Sequence, residues 1–156
     1  MPVGRELPGP TEAFGRFVST AEADWSDAGS VIDYLVDYAR VLVGSQRAFD
    51  EGAVRDLVRR DVERACDFAA VQNHDSLPED DRQRPPLSSL AAPTLAIHGT
   101  ADPMFPLAHG QALAEEIPGA ALLTLEGAGH GVDRADWKTI ARAILEHTAM
   151  RDGESS

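Results

Sequence analysis

Two short polar clusters contain the residues best suited to chemistry. One is His98-Gly99-Thr100-Ala101-Asp102-Pro103 and the other is Glu126-Gly127-Ala128-Gly129-His130-Gly131. A carboxylate beside an imidazole has a definite use: it fixes the tautomer of the ring and stabilises the imidazolium formed when the ring takes a proton from a nucleophile. Asp102 and His130 are the candidate acid and base. Alone, the first would read as a turn aspartate and the second as a capping histidine, so their value depends on being brought together. The glycines around His130 suit a tight loop from which the ring can project. His98 reads as a hydrogen-bonded support for the Asp102 loop, and His109 as a surface residue near the mouth of the site. His98, Asp102 and His130 are metal-ligand types, but their spacing matches no metal signature, and no metal or other cofactor is expected. GAGHGV fails as a dinucleotide fingerprint because Val132 stands where G-x-G-x-x-G needs its third glycine.

The elements around these clusters must position them. Thr94 to His98 (TLAIH) reads as a short buried strand, Leu107 to Ile117 as a helix, and Ala121 to Leu125 (ALLTL) as a second strand. A strand, helix, strand order with short links implies parallel strands whose carboxyl ends share one edge of the sheet. Residues just beyond those ends converge, which places Asp102 beside His130. A final helix is marked by Trp137, Ile140, Ala141, Ile144 and Leu145 at helical spacing.

The earlier part of the chain is helical. A patch around Phe14, Phe17 and Val18 suggests a helical turn. From about Ser30 to Val43, Asp33, Asp37 and Arg40 form one narrow wet stripe on an otherwise apolar helix, which Gly44 is placed to end. A second helix starts at an Asp50 cap and is expected to reach Asn73, with Val54, Leu57, Val58, Val62, Ala65 and Ala69 as its buried stripe. Cys66 lies in that stretch and reads as inert packing. Residues 74 to 88 (HDSLPEDDRQRPPLS) are acidic, proline-bearing and aperiodic, which marks a loop or boundary.

The segment APTLAIHGTADPMFPLAHGQALAEEIPGAALLTLEGAGHGV resembles the last part of the α/β-hydrolase fold. In that family a strand ends in H-G-x-x-D-P, whose Asp is the triad acid, and the next strand ends in G-x-G-H, whose His is the triad base. Asp102 and His130 match those positions. The resemblance implies that residues 1–90 are the helical lid or cap such hydrolases insert over the pocket, that 91–150 are the end of the core, and that 151–156 are a disordered tail. The DWSD sequence at Asp24 and the two helices after it look most like small esterases of the methylesterase and lactonase kind. The fold expected is therefore α/β: a truncated α/β-hydrolase, with a helical cap followed by a β-α-β-α unit containing two parallel strands.

The nucleophile of that family sits in a G-x-S-x-G turn between strand and helix. None of Ser19, Ser26, Ser30, Ser45, Ser76, Ser88, Ser89, Ser155 and Ser156 lies in that motif, and Ser45, though preceded by glycine, ends a helix. The expectation is a fragment that is inactive alone. In the intact protein a serine would attack a small hydrophobic ester or lactone, while dehalogenases and epoxide hydrolases share this tail. The alternative is a non-catalytic remnant or interaction module that self-associates, or pairs with a missing N-terminal half, through the uncovered edge of its sheet.

Bulk properties narrow the partners. In 156 residues the net charge is −12 and no stretch gathers Lys and Arg, so nucleic acid and anionic lipid are excluded as partners. No apolar run is long enough to cross a bilayer. A single cysteine forbids an internal disulfide, and no secretory leader is read after Met1, so a cytoplasmic location is the expectation.

Overall fold

The computed structural model describes residues 6–76 and 85–149, except the side chains of residues 74–76. Among the described residues three α-helices precede the sheet. Helix α1 (Glu12–Thr20) is capped by Thr11, whose hydroxyl accepts the Phe14 amide. Helix α2 (Ala28–Val43) is capped by Asp27, whose carboxylate accepts the amides of Gly29 and Ser30. Asp24 prepares that start: it accepts the Ser26 amide and hydroxyl, while its own amide donates to Ser30. These side-chain acceptors satisfy donors that a helix start leaves without intrahelical partners.

Asp33, Asp37 and Arg40 lie exposed along α2 as the stripe predicts, while Val31, on the far side of the helix, and Val36, one turn from both Asp33 and Arg40, are fully buried. Burying each valine stabilises the fold by about 1.5–3 kcal/mol. Phe17 packs against Tyr34 and Tyr38 at ring distances of 5.5 and 5.8 Å, which fastens α1 to α2.

Helix α3 (Glu51–Arg64) starts on its expected Asp50 cap but stops well before Asn73. Ala65 turns extended, and the chain resumes as a 3₁₀ segment at Phe68–Ser76. Phe68 stacks on Trp25 at 6.5 Å and 9°. That contact gives the chain a packing position outside the helix. The expected buried stripe is also corrected: no residue of α3 is buried, Leu57 is 53% exposed, and Cys66 is exposed in the turn. Of that stripe Val54, Val58 and Val62 are half-buried, and exposed ion pairs from Arg55 to Asp33 and from Arg40 to Glu51 also link α3 to α2. The proposed loop at 74–88 falls partly outside the described residues, with Leu87–Ser89 forming a 3₁₀ turn. The tail at 151–156 lies wholly outside them.

The α/β part follows the expected order. Strand β1 (Leu95–Gly99), helix α4 (Ala108–Glu116), strand β2 (Ala121–Leu125) and helix α5 (Trp137–Ala149) follow in sequence. The strands pair in parallel, with Leu95 opposite Ala121 and Gly99 opposite Leu125. Helix α4 packs on β1 where Gly110 meets the His98 ring; a Cβ on Gly110 would come 2.8 Å from the ring's Cγ. The apolar face of α5 finds much less cover, with Trp137 55% and Leu145 68% exposed. No helix among the described residues is long and apolar enough to cross a membrane.

Candidate active site

The parallel register ends both strands at the same edge, and the two turns beyond them are tied together. Thr100 donates its amide to the Leu125 carbonyl at 3.0 Å, and Ala101 donates to the Ala128 carbonyl at 2.9 Å. Gly127 donates its amide to the Thr100 hydroxyl at 2.8 Å. Gly99 lies against the carbonyls of Ala128 and Gly129, where a Cβ would have no room. This close approach is the physical need for glycine at position 99.

Asp102 follows the first turn and is buried, its side chain 4% exposed. Its Oδ1 accepts the amides of Met104 and Phe105, each at 2.8 Å. A carboxylate held by two amides of its own loop has little freedom to rotate. Its Oδ2 is thereby presented to His130, whose Nδ1 lies 2.8 Å away. The structure thus brings together the two residues singled out from the sequence, 28 positions apart.

A carboxylate can only accept, so Nδ1 of His130 is the donor, and in a neutral ring Nε2 then keeps its lone pair. The His130 side chain is 35% exposed, and its ring meets Phe105 at 5.6 Å. An imidazole oriented this way, with an open Nε2, can take a proton from a hydroxyl and return it to a leaving group.

His98 lies behind this pair. Its Nε2 donates to the Phe105 carbonyl at 2.7 Å and stands 3.7 Å from Asp102 Oδ2. It supports the Asp102 loop, as its position in the sequence suggests. With Nε2 committed to a carbonyl, that nitrogen is not free to join a metal set with Asp102 and His130. His109 is less exposed than expected: its Nε2 is 2.9 Å from the Pro8 carbonyl, and its ring lies edge-on to Phe105. Asp102 and His130 border a cavity of about 430 Å³ whose other walls include Leu7, Ile97, Phe105, Leu113 and Ile140. Apolar walls with a few converging polar groups are the usual form of a small-molecule site.

Sequence reasoning missed the groups that hold the His130 loop in place. The His130 amide donates to the Leu42 carbonyl at 2.8 Å. Gly129 lies directly on the carbonyls of Leu42 and Val43, again with no space for a Cβ. Arg47 pairs with Asp136, whose hydrogen bond holds the guanidinium above its usual pKa against the opposing effect of burial. These partners lie some 90 residues apart and leave no periodic trace in the sequence. The two glycines flanking His130 were the one available signal that its loop approaches other backbone closely.

Consecutive parallel strands that end in an acid and a histidine, preceded by a helical region, define an α/β-hydrolase arrangement. The chain belongs to that superfamily: the Abhydrolase_4 family, described as TAP-like protein, matches residues 56–149. It is similar to rhodomycin D methylesterase DnrP of Streptomyces peucetius, at 30% identity over 144 residues, covering 91% of this chain and 48% of that protein. In structure it resembles the meta-cleavage product hydrolase CumD of Pseudomonas fluorescens IP01, with a TM-score of 0.63 and 21% identity, over 93% of this chain and 52% of the other. Esterase RhEst1 of Rhodococcus sp. ECU1013 superposes with a TM-score of 0.56 at 21% identity, over 88% and 49% of the two chains. The chain spans about half the length of the curated relatives it matches.

Proposed function

We propose that this chain supplies the acid and base of an ester-hydrolysing α/β-hydrolase, with Asp102 orienting His130 and His130 acting as general base and then general acid. The observation that carries the reading is the 2.8 Å bond between Asp102 Oδ2 and His130 Nδ1 at the end of two parallel strands. His130 Nε2 would take the proton of a serine hydroxyl as that hydroxyl attacks the ester carbonyl, then deliver it to the departing alcohol. No serine of this chain lies in a G-x-S-x-G turn, so the nucleophile belongs to sequence outside it. The apolar cavity favours a small hydrophobic ester, and the methylesterase relative supports a carboxylic ester. Residues before β1 would then be the cap over that substrate.

The test is hydrolysis of p-nitrophenyl esters together with fluorophosphonate labelling. The chain alone is expected to do neither. A longer polypeptide that places a strand and a G-x-S-x-G turn ahead of it is expected to do both, and His130→Ala there should lower kcat by roughly 10⁴-fold or more. Labelling of a serine in the isolated chain, or full activity in the His130→Ala variant, would contradict the proposal.

A second reading, association without catalysis, is favoured by the uncovered α5 face around Trp137, Ile144 and Leu145. Exposed apolar patches of this kind mark surfaces that associate.

A further inference from the structure

The loop that carries His130 leaves β2 after Leu125 and enters α5 at Trp137. One side chain from the helical region holds both of its feet. Arg47 places Nη1 2.5 Å from Asp136 Oδ2 and Nη2 3.1 Å from Asp136 Oδ1. The same Nη2 donates to the Glu126 carbonyl at 2.7 Å. The guanidinium therefore joins the first residue after the strand to the last residue before the helix. Its planar fork suits this three-way geometry, which a lysine ammonium could not reproduce.

The pair is also sheltered. The Arg47 and Asp136 side chains are 22% and 12% exposed, whereas both partners in every other Arg–carboxylate pair among the described residues are at least 41% exposed. Sheltered pairs are screened less by salt and leave a costly unpaired charge when one partner is lost. Between the two feet, the backbone that leads to Arg47 floors the loop. Leu42 accepts the His130 amide, Gly129 rests on the carbonyls of Leu42 and Val43, and Gln46 lies beside Gly127.

We infer that Arg47 is a positioning residue for His130: through Asp136 and Glu126 it clamps the His130 loop onto the C-terminal end of α2, and so sets the ring against Asp102. The inference rests on His130 being the base. It also couples two parts of the protein. The C-terminal end of α2 cannot shift relative to the sheet without disturbing the backbone that carries His130, so the helical region is anchored to the base at this end.

The experiment is NMR on the full chain, following the His130 Nδ1 proton bonded to Asp102 and the exchange rate of the His130 amide. Arg47→Ala and Asp136→Ala are expected to remove the Nδ1 proton signal and to speed amide exchange roughly tenfold or more, the scale expected when a sheltered pair loses one partner. Arg55→Ala, which breaks an exposed pair with Asp33, should change neither readout. A folded Arg47→Ala chain with wild-type His130 signals overturns the proposal. Should Arg47→Ala lose its dispersed spectrum, Arg47→Lys decides: it keeps the charge and loses the fork. Weakened His130 signals in the folded Lys variant support the clamp, and unchanged ones overturn it. If the wild-type chain lacks an Asp102-bonded Nδ1 proton, the reading of His130 as base fails. The amide exchange rate then still tests whether Arg47 holds the loop.

Discussion

The Thr100 hydroxyl accepts the Gly127 amide at 2.8 Å and so ties the turn after β1 to the turn after β2. Asp102 and His130 each lie two or three residues beyond this tie, so its geometry is transmitted directly to their separation. Thr100→Val keeps the shape of the side chain but leaves the Gly127 amide without its acceptor. The expected loss is about 1 kcal/mol in urea unfolding. Thr100→Ser, which keeps the hydroxyl, should recover most of it. Equal stability of Thr100→Val and the wild type would show that the tie contributes nothing.

Glycine substitutions should divide sharply by position. Gly129 lies on the carbonyls of Leu42 and Val43, so Gly129→Ala must push the His130 loop away from α2, at a cost of about 1–3 kcal/mol or more. Gly15 sits inside α1 with open space around its Cβ position, so Gly15→Ala should stabilise the chain by about 0.5–1 kcal/mol. Thermal melts of the two variants shifting in the same direction would contradict the close approach at Gly129.

Acid should loosen the contact between α2 and α3. The Glu51 carboxyl is held below its usual 4.5, first by its hydrogen bond from Arg40 and then by that from Arg55. A carboxyl whose folded pKa lies below its unfolded one stabilises the fold above the unfolded value. That contribution falls away as pH drops through the folded value. The loss therefore begins near 4.5 and deepens below it. Because Glu51 is exposed, the effect should be modest and weaker in high salt. An acid titration followed by circular dichroism should be flatter for Glu51→Gln than for the wild type. Identical curves would remove Glu51 from the account.

The uncovered face of α5 gives an association prediction. Leu145 is 68% and Trp137 55% exposed on a helix whose apolar spacing is the clearest in the sequence. Sedimentation of the wild-type chain should give a mass that rises with concentration, and Leu145→Glu should lower it. A strictly monomeric wild type at all concentrations would argue against the associative reading.

The site was more legible in the sequence than the packing around it. TLAIH and ALLTL are short apolar runs linked by a helix, and parallel pairing of such runs leaves little freedom in where Asp102 and His130 meet. The stripe of Asp33, Asp37 and Arg40 correctly marked exposed residues of α2, although Val36, one turn from both Asp33 and Arg40, is buried. The end of α3 was not legible. Val62, Ala65 and Ala69 continue its apolar spacing, but tertiary packing of Phe68 on Trp25 accompanies the departure from the helix at Ala65. The Arg47 clamp was hidden for a different reason. Pairing between residues 47 and 136 depends on three-dimensional proximity alone, and a single arginine in a loop carries no spacing to read.

The central claim is that Asp102 holds the His130 ring with Nδ1 protonated and Nε2 open. The most direct measurement is the tautomer of His130 by long-range nitrogen–proton NMR in the wild type and in Asp102→Asn. The wild type is expected to carry its proton on Nδ1. In Asp102→Asn, the amide can turn a donor toward the ring, and the proton should move to Nε2. A wild-type ring protonated on Nε2, or a tautomer indifferent to Asp102→Asn, would contradict the account.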